Sequence, residues 1–166
     1  MCAAIEVPVK FKDEEKPSIL REARIIKMCP VLKRALEVKN ANWETDGLKM
    51  EDPIELPITK EAGDFCFTYG DKYVQPDVEK DDPSLDQYKE ANEKGLEELK
   101  EILEAASFFE MSSFMHCLGF VAAKKLNDKP VEEIAKYIGV ECLPETPMFS
   151  EADGWIHAPN ELFQNN

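Results

Sequence analysis

The stretch LEELKEILEAASFFEMSSFMHCLGFVAAKKLNDKPVEEIAKYIGV, residues 96–140, carries the clearest periodicity in the chain. Leu96, Leu99, Ile102, Leu103 and Ala106 recur at helical spacing, with Glu97, Glu98, Lys100, Glu101 and Glu104 facing away. This predicts an amphipathic helix of about 14 residues. A break near Met111 to Ser113, with Ser112 or Ser113 as N-cap, precedes a second helix. There Phe114, Cys117, Leu118, Val121 and Ala122 repeat at helical spacing, and Leu126 ends the run before Asn127. Pro130 at a first-turn position, Glu132 and Glu133 at the positive end of the dipole, and Val131, Ile134, Tyr137 and Ile138 on one face predict a third helix, stopped by Gly139. Three consecutive helices are therefore expected to carry most of the core.

The N-terminal side reads differently. Ile5, Val7, Val9 and Phe11 alternate with Glu6, Pro8 and Lys10, the period of a half-buried strand, and Pro8 suggests an edge. A charged turn closed by Pro17 leads to Ser18-Ile19-Leu20, a second strand and a plausible hairpin. Glu22 to Lys27 is ambiguous. Val31, Leu32, Ala35, Leu36 and Val38 behind Pro30 predict a helix over 30–39. Asn40 to Asp52 reads as a loop, and Ile54 to Leu56, ending at Pro57, as a third strand. In 58–74, Phe65, Phe67 and Tyr69 alternate like a strand while Glu61, Ala62 and Asp64 favour a short helix, and the helix is preferred. Asp77 to Glu104 holds 11 acidic residues against 4 lysines, half of the net charge. Its first part is almost without apolar residues, so 75–92 is expected to be a mobile acidic loop. Beyond Val140, Pro144, Pro147 and Pro159 prevent a long helix, yet Met148, Phe149, Trp155, Ile156, Leu162 and Phe163 suggest a tail that packs on something.

At 166 residues the chain has room for one domain and an elaboration. A net charge of -14 repels phosphate backbones and anionic lipid, which argues against nucleic acid and membrane partners. No apolar run approaches the roughly 20 residues that span a bilayer, and the first residues lack the basic and apolar regions of a secretory signal. Five dispersed cysteines (Cys2, Cys29, Cys66, Cys117, Cys142) with no C-x-x-C fit reduced thiols, so an intracellular protein is expected.

Signals of chemistry are sparse. His116 and His157 are the only histidines and no cysteines pair closely, so neither a metal nor a cofactor is expected. His116-Cys117 invites a nucleophile reading, but neighbours on a helix point about 100° apart, and a core cysteine beside a surface histidine is the stronger reading. There is no phosphate-binding or nucleophile-elbow motif, and the 7 glycines are scattered turn residues. The segment 9–39, with 9 basic and 5 acidic residues, could give the surface a charge dipole.

Leu99 to Val140 resembles the S-phase kinase-associated adaptor family, the small BTB/POZ-fold subunits that bridge cullins to F-box proteins in ubiquitin ligases. Leu99 to Met111 is similar to the family's helix with its double alanine and its hydrophobic-acidic-hydrophobic close. Lys129-Pro130-Val131-Glu132-Glu133-Ile134 follows without a gap at the family's Lys-Thr-Pro-Glu-Glu-Ile position. Val9-Lys10-Phe11, Ile25, Val31 to Leu36 and Asp52 to Pro57 also fall where the family has early strands and helices. Glu104 stands where the family has leucine, Ser107-Phe108 where it has Asn-Tyr, Gly119 where it has cysteine and Ile138-Gly139-Val140 where it has Phe-Asn-Ile. The acidic final helix is shortened and interrupted by Pro144 and Pro147. The elongin C family shares the BTB core but lacks the extension that Lys129 to Val140 resembles.

The resemblance implies an α+β fold: a BTB/POZ domain over 5–126 with a small three-stranded sheet and an acidic loop at 75–95, then a helical extension over 127–163. It implies a non-catalytic adaptor of cytoplasm and nucleus. In such adaptors the terminal helices turn their apolar side to the F-box, so an otherwise ordinary core-facing stripe becomes an interface of Met115, Gly119, Ala122, Leu126, Ile134, Ile138, Val140 and Trp155. Ser107 and Phe108 stand at the family's cullin contact. The alternative is a self-associating scaffold that keeps the fold without cullin binding. Left without an F-box protein, the exposed patch favours a homodimer.

Overall fold

Strand β1 (Ile5–Phe11) forms where the alternation places it, and its odd-numbered side chains Ile5, Val7, Val9 and Phe11 are all buried. The structure, a computed structural model, describes residues 4–77 and 84–141. The order continues β2 (Ser18–Leu20), α1 (Ala23–Met28), α2 (Pro30–Lys39), α3 (Trp43–Asp46), β3 (Leu48–Lys49), β4 (Ile54–Leu56) and α4 (Lys60–Tyr69). A 3-10 turn (Leu85–Tyr88), α5 (Lys89–Glu93), α6 (Leu96–Phe108), α7 (Ser112–Leu126) and α8 (Val131–Ile138) follow. The protein is α+β, with a small four-stranded sheet among the described residues.

The sheet corrects two expectations. It has a further strand, β3, beside the three that were expected, and β1 is its central strand rather than an edge. β2 pairs with β1 antiparallel, with Val7 opposite Leu20, while β3 and β4 pair with it parallel, Ile5 opposite Leu48 and Val9 opposite Ile54. The Ala4 and Glu6 carbonyls accept from the Leu48 and Met50 N–H groups at 3.0 and 2.9 Å, and the Lys12 N–H donates to the Ile58 carbonyl at 3.1 Å. Even-numbered residues thus turn their backbone groups toward β3 and β4, and Pro8 does so in the interval between Lys49 and Ile54. Its missing N–H falls where there is no strand to receive it, so a central proline is tolerated.

The expected loop over Asn40 to Asp52 also folds. Trp43, 1% exposed, anchors α3 in the core. The Asn42 N–H donates to Asn40 Oδ1 at 2.9 Å to start the turn, and Gly47, at φ 77°, ends it and delivers Leu48 to the sheet. Within the acidic stretch expected as a loop over 75–95, residues 85–93 fold into a 3-10 turn and α5, because Tyr88 and Ala91 are buried and hold them. Tyr88 donates to the Val74 carbonyl, and Tyr73 donates to Glu90 Oε2 at 3.2 Å while accepting from the Ala91 N–H at 3.1 Å. Residues 78–83 of that stretch lie outside the described residues.

The chain divides into two compact units, 1–128 and 129–166. In the first, α4 packs on α6 and α6 on α7, with rings of Phe11, Phe67 and Phe109 in sequence at 6.4 and 5.2 Å. The α6–α7 corner departs from the expected serine cap. Met111 is the N-cap, and the corner closes through the backbone: the Met111 N–H donates to the Ala106 carbonyl at 2.9 Å, with Glu110 at φ 59°. In the second unit, α8 stops as expected at Gly139, φ 82°, where the Gly139 N–H reaches Lys136 O at 3.2 Å and the Val140 N–H reaches Ala135 O at 2.9 Å. This is a Schellman closure, and the left-handed residue within it favours glycine.

Gly63 shows how tightly α4 meets the sheet. A Cβ there would lie 2.4 Å from Phe11 Cε1, and Phe11 is 1% exposed and packed against the Phe67 ring. Gly63→Ala gains about 1 kcal/mol of helix propensity but overpacks the core at a cost of about 1–3 kcal/mol, so a net loss of about 1 kcal/mol is expected by urea unfolding.

Candidate functional site

α6 exposes one row of side chains on the side away from Leu99, Ile102, Ala105 and Ala106, which are buried. Glu97, Glu101, Glu104 and Phe108 follow at i, i+4, i+7 and i+11, within about 60° of one another around the axis. Phe108 ends the row half-buried, packed against the core, with its ring edge to Phe109 at 5.4 Å. Ser107 beside it is exposed. The turn before α4 and the residue after β1 supply the rest of the wall: Pro57, Ile58, Thr59 and Lys12 enclose with Glu101, Glu104 and Phe108 a cleft of about 170 Å³. Thr59 caps α4, its Oγ1 accepting from the Ala62 N–H at 3.4 Å, and it donates to Glu101 Oε2 at 3.3 Å. The resemblance to the adaptor family points to Ser107 and Phe108. It does not point to Lys12, Pro57, Ile58 and Thr59, which only the fold brings there.

Met115, Gly119, Ala122 and Leu126 share one side of α7 at i, i+4, i+7 and i+11. Ala122 and Leu126 are buried, whereas Met115 and Gly119 are half-exposed, and a Cβ at Gly119 would meet nothing within 4 Å. On α8, Ile134 is half-buried, Ile138 is 63% exposed and Val131 62%, and Val140, just beyond the helix, is 56% exposed. Val131, Ile138 and Val140 are large apolar residues left in water. Trp155 and the rest of the apolar tail, Met148, Phe149, Ile156, Leu162 and Phe163, lie outside the described residues, as do Cys2, Cys142 and His157.

The His116-Cys117 pair does not form a catalytic dyad. Cys117 is buried and donates to the Ser113 carbonyl at 3.2 Å, and burial raises its thiol pKa, which keeps it protonated. His116 is exposed, with Nδ1 2.7 Å from Gln75 Nε2. Burial also pushes the Cys29 thiol up to about 12 and raises that of Cys66 further. Among the described residues no cluster of His, Cys, Asp and Glu has the makeup of a metal site, and no helix is long and apolar enough to cross a membrane.

Two carboxylates stabilise the frame around the row. Arg34 donates to both oxygens of Glu110 at 2.8 and 2.6 Å, tying α2 to the α6–α7 corner and holding the Glu110 carboxyl below its ordinary pKa. The Gly95 N–H at 2.8 Å, then Lys94, do the same for Glu98 at the start of α6. A carboxyl whose folded pKa is depressed adds stability above its unfolded pKa, and that stability is lost as pH falls through the folded value. Thermal melts of wild type and of a Glu98→Gln/Glu110→Gln variant are therefore expected to differ at pH 7, with the gap closing as pH drops below about 4. A gap that stays constant on acidification would remove these two groups from the linkage.

No family model matches this chain, and no curated protein matches it either.

Proposed function

We propose that the chain is a non-catalytic adaptor of cytoplasm and nucleus with a BTB/POZ core, linking an F-box substrate receptor to a cullin in a ubiquitin ligase. The observation that carries this reading is a set of exposed apolar side chains, Val131 and Ile138 on α8 and Val140 just beyond it, which stand in water where the helix closes on Gly139. Soluble surfaces seldom leave such groups clustered without a partner. The resemblance of Leu99 to Val140 to the adaptor family supplies the kind of partner, and the Ser107-Phe108 corner supplies a second docking point in the first unit. The function is positioning: two docking points on one polypeptide hold a receptor and a transfer module together, and rigid contacts spend little ordering entropy.

The same α8 side also suits a homodimer, which serves the scaffold alternative. Reconstitution decides. The chain mixed with a purified cullin N-terminal domain and an F-box protein is expected to elute as one ternary complex. An F-box complex without cullin would favour the scaffold, and no complex with either would remove the adaptor reading.

A further inference from the structure

We infer that the Phe108 cleft selects a partner segment in which an apolar side chain is flanked by lysine or arginine. The inference rests on the adaptor reading for the identity of the partner, a cullin, but its chemistry comes from the cleft. The apolar element is Phe108, half-buried against the core and so held in place before binding. The charged element is the α6 row. Glu97 to Glu104 spans eight residues, about 10 Å of helix, and the row runs straight to Phe108. Among the described residues none of these three has a basic group within ion-pair distance, whereas Glu61 and Glu98 share Lys94 and Glu110 holds Arg34.

Lys12 also lines the cleft, next to Asp13, whose Oδ1 accepts from the Lys60 N–H at 2.8 Å. A segment that lays an apolar side chain on Phe108 therefore finds a favourable place for a cation over the α6 row. Such rim charges set orientation and salt dependence, while the apolar contact supplies the anchor. Lys100 flanks the row and moderates its field.

The test has two arms, both run on the full chain. In the first, a cullin N-terminal domain is titrated by calorimetry into wild type and a Glu101→Gln/Glu104→Gln variant at about 50 and about 300 mM salt. Wild type is expected to lose about tenfold in affinity between the two salts, and the variant to bind about tenfold more weakly at low salt with a flatter salt response. Equal affinities for the two proteins at both salts would overturn the inference and leave the adaptor reading in place. The second arm decides if cullin does not bind wild type, an outcome that ends the adaptor reading. It follows amide spectra of the chain with two soluble alanine-based peptides, one carrying leucines and lysines and the other leucines and glutamates. Shifts at Phe108 and Glu104 with the lysine peptide alone uphold the inference, and equal responses or none to the two peptides overturn it.

Discussion

Ile138→Asp is expected to reduce F-box binding close to a thousandfold, the equivalent of about 4 kcal/mol for burying a carboxylate without a partner. The fold should tolerate the change. Ile138 is 63% exposed and is the last residue of α8, so in the free chain the aspartate meets water. A negative charge at a helix C-terminus costs only about 0.3–1 kcal/mol, and the Gly139 closure uses backbone groups that the substitution leaves intact. Ile134→Asp on the same side is expected to weaken binding as well, although Ile134 is half-buried and part of its effect falls on α8 itself. Lys136→Asp reverses a charge on an exposed residue of the same helix without touching the apolar side, and should change F-box affinity little. Binding measured by interferometry, beside circular dichroism of each variant, separates the cases. A well-folded Ile138→Asp protein with wild-type affinity would take α8 out of the interface.

How far such surfaces can be read from sequence depends on whether their parts are local. The α6 apolar stripe, the α7 repeat and the α8 stripe are periodic within one element, so Ile138 is legible in the amino-acid sequence itself, whereas Phe108 is singled out only by the resemblance to the adaptor family. Periodicity does not tell partner-facing apolar residues from core ones. Ala122 and Leu126 share a side of α7 with Met115 and Gly119 and differ from them only in burial. The second wall of the cleft is invisible in the sequence because Lys12 follows β1, Thr59 opens α4 and Phe108 ends α6, a conjunction that no local pattern encodes. The same limit explains the segments that fold where a loop is expected. A single buried side chain, Trp43 for α3 and Tyr88 for the 3-10 turn, outweighs a run of turn-forming and acidic neighbours. Pro8 reads as an edge signal because the gap between β3 and β4 is a tertiary fact.

Phe108→Lys is expected to weaken cullin binding by about 2 kcal/mol or more, roughly thirtyfold, as loss of a central aromatic anchor does. The substitution removes a ring that is only half-buried, and it places an ammonium four residues after Glu104, an orientation that stabilises an exposed helix by about 0.3–0.5 kcal/mol. The fold is therefore expected to survive with a modest loss of packing against Phe109. Binding of the F-box protein should be unchanged, because the residues assigned to it lie on α7, α8 and the chain beyond. Phe108→Leu restores apolar area without the ring and is expected to recover part of the affinity, which distinguishes lost contact from a disturbed α6. The new lysine also neutralises part of the field of Glu101 and Glu104, so its effect should be non-additive with their removal: Phe108→Lys in the Glu101→Gln/Glu104→Gln background should cost less than in wild type if a partner cation sits over α6. Calorimetric titration of the cullin domain into the four proteins of that cycle measures the coupling, and equal cullin affinity for wild type and Phe108→Lys would remove the α6 corner from the interface.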